Sequence, residues 1–87
     1  MVKKSYKWMQ EDNMLVKEFF FNDFMSAMGF ANKVADISDR LDHHPNMLIH
    51  DDNKVRITLT TRDVDSVTEL DIEMANLIDH IIEKFYA

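Results

Sequence analysis

The strongest constraint on this chain is the way its hydrophobic period changes along its length. In residues 54–61, Val55, Ile57 and Leu59 alternate with Arg56, Thr58 and Thr60. A period of two is that of a strand with one buried face. In residues 23–41 the period is helical: Phe24, Ala27, Met28, Ala31, Val34, Ala35 and Leu41 form one apolar stripe. A second helical stretch spans residues 68–86, where Ala75, Ile78, Ile82 and Phe85 line one face and Leu77 and Ile81 widen it. Neither helix can stand alone in water, because an amphipathic face must be buried against another element.

The remaining segments supply that element. Residues 6–11 and 15–21 read as strands, with Tyr6, Trp8 and Phe19–Phe21 as β-favouring aromatics and Glu11-Asp12-Asn13 as the turn between them. Residues 46–50 and 54–61 read as a second hairpin with Asp51-Asp52-Asn53 at its tip. The order ββαββα predicts an α+β fold. It has a four-stranded antiparallel sheet with two helices on one face, in a single domain over residues 1–87.

Local chemistry agrees with these boundaries. Asn22 or Asp23 can cap the first helix through a side-chain oxygen. Ser66 with Glu69, or Thr68 with Asp71, fits the capping box at the start of the second. Glu69, Asp71 and Glu73 open that helix and Lys84 closes it, which matches the helix dipole. Gly29 stands inside the first helix at a cost of about 1 kcal/mol against alanine. Close backbone packing against the sheet would account for it.

Size and composition exclude several classes. A chain of 87 residues buries only about 60% of its unfolded surface. There is no cysteine, so disulfides, iron–sulfur clusters and thiolate zinc sites are excluded. Association is then the expected support for a small core. Sixteen acidic and ten basic side chains leave a net charge of −6. That argues against a nucleic-acid binder, which needs a clustered basic surface. Lys3, Lys4 and Lys7 read as a solvated basic start. No apolar run approaches the ~18 residues of a membrane span, and the start lacks the pattern of a signal peptide. A soluble cytoplasmic protein is expected.

The densest polar cluster is Asp39, Asp42, His43, His44 and Pro45, where the first helix ends and the third strand begins. Pro45 biases His44 toward an extended backbone, and neighbours on an extended chain point to opposite faces. One histidine can then face a pocket while the other faces elsewhere. Two groups that titrate near neutral pH suit proton transfer. The plainer reading is a histidine pair placed against a helix C-terminus. A metal reading draws on His43, His44, His50, Asp51 and Asp52, but their spacing matches no ligand signature. Asp71 is explained by capping alone. The seven methionines and Trp8 read as core or interface.

Taken in order, Trp8, the run Phe-Phe-Phe-Asn-Asp-Phe over 19–24, Gly29-Phe30 and Asp42-His43-His44-Pro45 resemble the pterin-4a-carbinolamine dehydratases. The strand Val55-Arg56-Ile57-Thr58-Leu59-Thr60-Thr61 and the helix start Thr68-Glu69-Leu70-Asp71 continue the resemblance. It runs over nearly the whole chain from Trp8 onward. The family dehydrates 4a-hydroxytetrahydropterins to quinonoid dihydropterins in pterin recycling. The resemblance therefore implies a hydro-lyase with a pterin substrate and no metal or separate cofactor. His43 resembles the acid–base histidine and His44 the second histidine, which helps hold the pterin. Asp39 and Asp71 fall on supporting acidic positions, and Thr60 belongs to the strand that lines the site. A non-catalytic relative that binds a pterin or a protein partner is the alternative.

Three positions depart from the family. Its third histidine is Arg62 here, and an arginine does not release its proton. Arg62 can still stabilise negative charge or hold a ring carbonyl, and so stays a catalytic candidate with His43 and His44. The aromatic residue expected after Pro45 falls on Asp51 or Asp52. The usual N-terminal helix has no room. If His50 pairs with Val55, antiparallel pairing places His43 opposite Arg62, a cation that would keep His43 neutral. A small core without disulfides, exposed sheet edges and the family's habit of association together predict a homodimer or homotetramer. Light scattering at micromolar concentration checks this, and a monomer would contradict it.

Overall fold

The computed structural model describes residues 7–86. Tyr6, Lys3 and Lys4 therefore lie outside the described residues. In chain order the elements are β1 (Met9–Glu11), β2 (Met14–Phe20), α1 (Phe24–Leu41), β3 (Asn46–His50), β4 (Lys54–Leu59) and α2 (Glu69–Phe85). The strands form the expected antiparallel sheet, in the spatial order β1-β2-β4-β3.

β4 holds the centre because its alternation is the cleanest. Val55, Ile57 and Leu59 are fully buried, while Arg56 between them is exposed. β2 pairs with it from Leu15↔Leu59 to Phe20↔Lys54, and β3 pairs from Asn46↔Thr58 to His50↔Lys54. The second register differs from the expected His50–Val55 pairing by one residue. The hairpin tip explains the difference. Asp51 and Asp52 both take positive φ, 50° and 69°, and Asn53 faces β2, where its backbone oxygen accepts from the Phe21 N–H at 2.8 Å. The turn therefore closes one residue tighter.

The core is aromatic. Phe19 and Phe21 of the β2 segment meet Phe30 of α1, with ring centroids 4.9 Å apart in both pairs. Tyr86 closes the stack against Phe21 at 5.2 Å. This triad decides how α1 rolls. Its buried residues are Ala27, Phe30, Ala31, Val34 and Ser38, so Phe24 and Ala35, expected in the stripe, face outward and are exposed. In α2 the buried face is Asp71, Met74, Ala75, Ile78 and Ile81, and Phe85 is 55% exposed.

Trp8, just ahead of β1, and Lys17 of β2 tie this side of the sheet to α2 by polar contacts. The Trp8 indole N–H donates to the Asp79 carboxylate at 3.1 Å, and Lys17 Nζ reaches the same carboxylate at 2.8 Å. Trp8 is half-buried edge-on against Phe19. Asp23, one of the two candidate caps, accepts from the Ser26 N–H at 2.8 Å.

With one glycine in the chain, tight turns fall to aspartate. The described residues with positive φ are Asp12, Asp42, Asp51, Asp52 and Asp65. Aspartate tolerates this region because its short polar side chain bonds locally. Part of the acidic excess is thus turn chemistry.

Gly29 is not pressed against the sheet as expected. A Cβ there would meet the Tyr86 hydroxyl at 3.6 Å, an ordinary contact, and the glycine φ is not positive. Gly29→Ala should therefore raise stability by about 0.5–1 kcal/mol. Urea unfolding measures this, and a loss would mean that Tyr86 cannot accept the methyl group.

Candidate active site

The end of α1 sets the first half of the site. After Leu41, Asp42 turns left-handed at φ 52° and ψ 43°, and the His43 N–H donates back to the Ser38 carbonyl at 3.1 Å. This is the six-to-one closure of a Schellman ending. It aims His43 inward, under the sheet end. Ser38 is itself buried and donates its hydroxyl to the Val34 carbonyl at 2.7 Å. The next residue alternates outward, as expected before Pro45.

The second half comes from the start of α2. Asp71 is fully buried, and its carboxylate has a partner on each oxygen. Oδ1 faces His43 Nε2 at 2.6 Å. Oδ2 accepts from the Thr61 hydroxyl at 2.7 Å and from the Thr68 backbone N–H at 2.9 Å. The last of these is the acidic half of the capping box over Thr68 and Asp71. Burial opposes ionisation of Asp71. The hydrogen bonds from His43, Thr61 and Thr68, with the His43 charge, outweigh burial and hold the carboxyl below its ordinary value.

The other expected residues fall around this pair. Asp39 supports His44 rather than His43: His44 Nε2 lies 2.9 Å from Asp39 Oδ1, and both side chains are exposed. Thr60 turns away and donates its hydroxyl to the Asn13 carbonyl at 2.8 Å, which holds the β1–β2 turn. Arg62 is exposed, with Nη2 3.4 Å from Asn46 Oδ1. The observed β3–β4 pairing, extended to residue 43, places Thr61 opposite His43, so Arg62 does not stand across from it. The single-residue change of register accounts for this. Thr61 was missed although the alternation of β4 could have found it, since Val55, Ile57 and Leu59 are buried and Thr61 is the next position on that face.

The metal reading finds no support in the arrangement. His50 lies at the far end of β3 from His43, with Nε2 against Glu18 and Nδ1 3.2 Å from Asp51 Oδ2. Among the described residues no group of three or more such side chains is placed to hold a metal ion.

Fold and site together define an α+β protein with a buried carboxylate–histidine pair at one end of its sheet. The chain belongs to the pterin 4 alpha carbinolamine dehydratase family, which it matches over residues 1–81. A relative from Sulfurisphaera tokodaii, named provisionally as a pterin-4-alpha-carbinolamine dehydratase, is 41% identical over 93% of this chain and 86% of its own length. One of the same name from Prochlorococcus marinus is 41% identical over 95% and 86%. A crystal structure from Brucella melitensis, described as a transcriptional coactivator/pterin dehydratase, shares 38% identity with a TM-score of 0.80, covering 85% of this chain and 80% of that one. A pterin dehydratase-like protein identified as a RuBisCO assembly factor in the alpha-carboxysome has 25% identity and a TM-score of 0.72, over 87% and 89%. No helix among the described residues is long and apolar enough to cross a membrane.

Because Asp71 is held ionised in the fold, its charged form carries stability. That stability is complete above the ordinary carboxylate value of about 3.9 and is lost as pH falls through the lowered folded value. Asp71→Asn should be less stable at pH 7, with the deficit narrowing as pH falls from about 4 toward about 2. Urea midpoints across that range test the sign. A constant deficit would show that the charge is not what stabilises.

Proposed function

We propose that the chain dehydrates a 4a-hydroxytetrahydropterin to the quinonoid dihydropterin and water, with His43 as the proton-transfer group. The observation that carries this reading is the buried Asp71 beside His43 at 2.6 Å, the two residues that the sequence resemblance assigns to the family's site. A carboxylate fixed against one ring nitrogen orients the imidazole toward its task of moving a proton.

The reaction needs a proton delivered to the departing 4a-hydroxyl and a proton taken from the pterin ring. His43 can do either in turn, and net proton balance is kept because water leaves with the proton supplied. His44, braced by Asp39, lies at the rim, where it can contact the pterin edge. Arg62 supplies a fixed positive charge beside Asn46 and can accept a ring carbonyl as its partner, but it cannot replace a histidine in moving protons.

A second reading is favoured by two departures. Arg62 stands where the family has a histidine, and the positions for its aromatic residue are the positive-φ turn residues Asp51 and Asp52. On that reading the chain binds a pterin or a protein partner without turnover.

An assay with synthetic 4a-hydroxytetrahydropterin, run beside a pterin-binding titration, separates the two. Turnover that falls about 10²-fold or more in His43→Ala, with the fold retained, supports the dehydratase. Binding without turnover supports the second reading, and neither result would direct attention to a protein partner.

A further inference from the structure

We infer that Thr61 is a positioning residue that holds Asp71 so that His43 presents its Nδ1, and not its Nε2, as the nitrogen that exchanges protons. The kinetic part of this inference rests on the dehydratase reading; the part about the ring nitrogens does not.

The hydrogen-bond directions follow from counting protons. An ionised carboxylate only accepts. Asp71 Oδ1 therefore takes its bond from a proton on His43 Nε2. Oδ2 takes the single hydroxyl proton of Thr61. With that proton committed, the 2.7 Å contact between the Thr61 and Thr68 hydroxyls must be donated by Thr68. The result is one directed chain: Thr68 hydroxyl to Thr61, Thr61 to Asp71, and His43 Nε2–H to Asp71 from the other side. Chains of this kind strengthen one another in a low-dielectric site.

In neutral His43 the proton is then on Nε2, and the lone pair is on Nδ1. No described residue bonds to Nδ1. Among the described residues every buried side-chain nitrogen or oxygen has a partner, so the unpartnered Nδ1 is open to solvent even though the His43 side chain is only 11% exposed. The nitrogen free to meet a substrate is thus fixed by the opposite side of the ring.

Thr61 lies outside α2 and touches the helix cap only through its hydroxyl, which accepts from Thr68 and donates to Asp71, so its replacement leaves the Thr68 N–H bond to Asp71 in place. Its loss leaves Asp71 with the Thr68 N–H as its only donor on Oδ2. The carboxylate can then rotate, and its less compensated charge holds the imidazolium more strongly. Thr61→Val should lower kcat about tenfold with KM little changed. It should also move the acid limb of the pH–rate profile upward by about half a unit, the equivalent of one ordinary neutral hydrogen bond. Thr61→Ser, which keeps the hydroxyl, should restore both.

The decisive measurement is nitrogen-15 NMR of the ring at a pH where His43 is neutral, which needs no substrate. The parent should show the Nε2–H tautomer, Thr61→Val a mixture, and Thr61→Ser the parent pattern. If circular dichroism shows that Thr61→Val does not fold, Thr61→Ala removes the hydroxyl without adding a methyl group in its place. A parent ring protonated on Nδ1 would overturn the inference. So would a hydroxyl-free variant that keeps both the parent tautomer and the parent pH profile, or a serine variant that fails to restore them. If the parent shows no turnover, the dehydratase reading falls, while the tautomer result still decides the role of Thr61.

Discussion

The structure turns on one buried carboxylate. Asp71 has no exposed surface, and a lone ion in that position would be costly. It is tolerated because its oxygens meet the Thr68 N–H, the Thr61 hydroxyl and the His43 ring. Three parts of the fold converge there: the start of α2, the loop after β4 and the segment after α1. The same charge that completes the helix cap also orients the candidate catalytic base. A cap and a catalytic support need not be rival explanations, since one residue satisfies an unpaired helix N–H and a histidine together.

The chain reaches that convergence with little glycine. Its left-handed turns fall on aspartate at five described positions, including Asp42, which sends the chain from α1 into the site. The acidic balance of the protein therefore has a backbone cause as well as an electrostatic one. The tip at Asp51-Asp52 serves a tight hairpin, where a bulky residue with positive φ would be strained. The tip in turn sets the β3–β4 register, and the register decides that Thr61 stands opposite His43.

The sheet leaves work for other contacts. Its inner face is filled by Phe19, Val55, Ile57 and Leu59, while β1 and β3 are edges. β3 carries Met47 and Leu48, which are 38% and 56% exposed. β1 pairs with β2, and Trp8 just ahead of it and Lys17 of β2 both bond Asp79 of α2. An edge that is partly apolar and unpaired is a pairing template, in keeping with the association expected of so small a core.

What the sequence by itself determined was the number, type and order of the elements, a cap at Asn22 or Asp23 and a capping box that includes Asp71. These depend on short-range periodicity and on side chains acting within a turn or two of themselves, whereas His43 and Asp71 entered as site residues through the family resemblance. The roll of α1 was not legible, because Phe24 and Phe30 both satisfy a helical stripe and only packing against Phe19 and Phe21 chooses between them. Nor was the partner of Asp39, which is four residues from His43 and five from His44 and so within reach of either. Which residue after β4 stands across from His43 belonged to tertiary structure as well. The face of Thr61 follows from the alternation of Val55, Ile57 and Leu59, but its partner across the sheet follows from the β3–β4 register. That register was decided at the hairpin tip and against β2, far from the site in the chain.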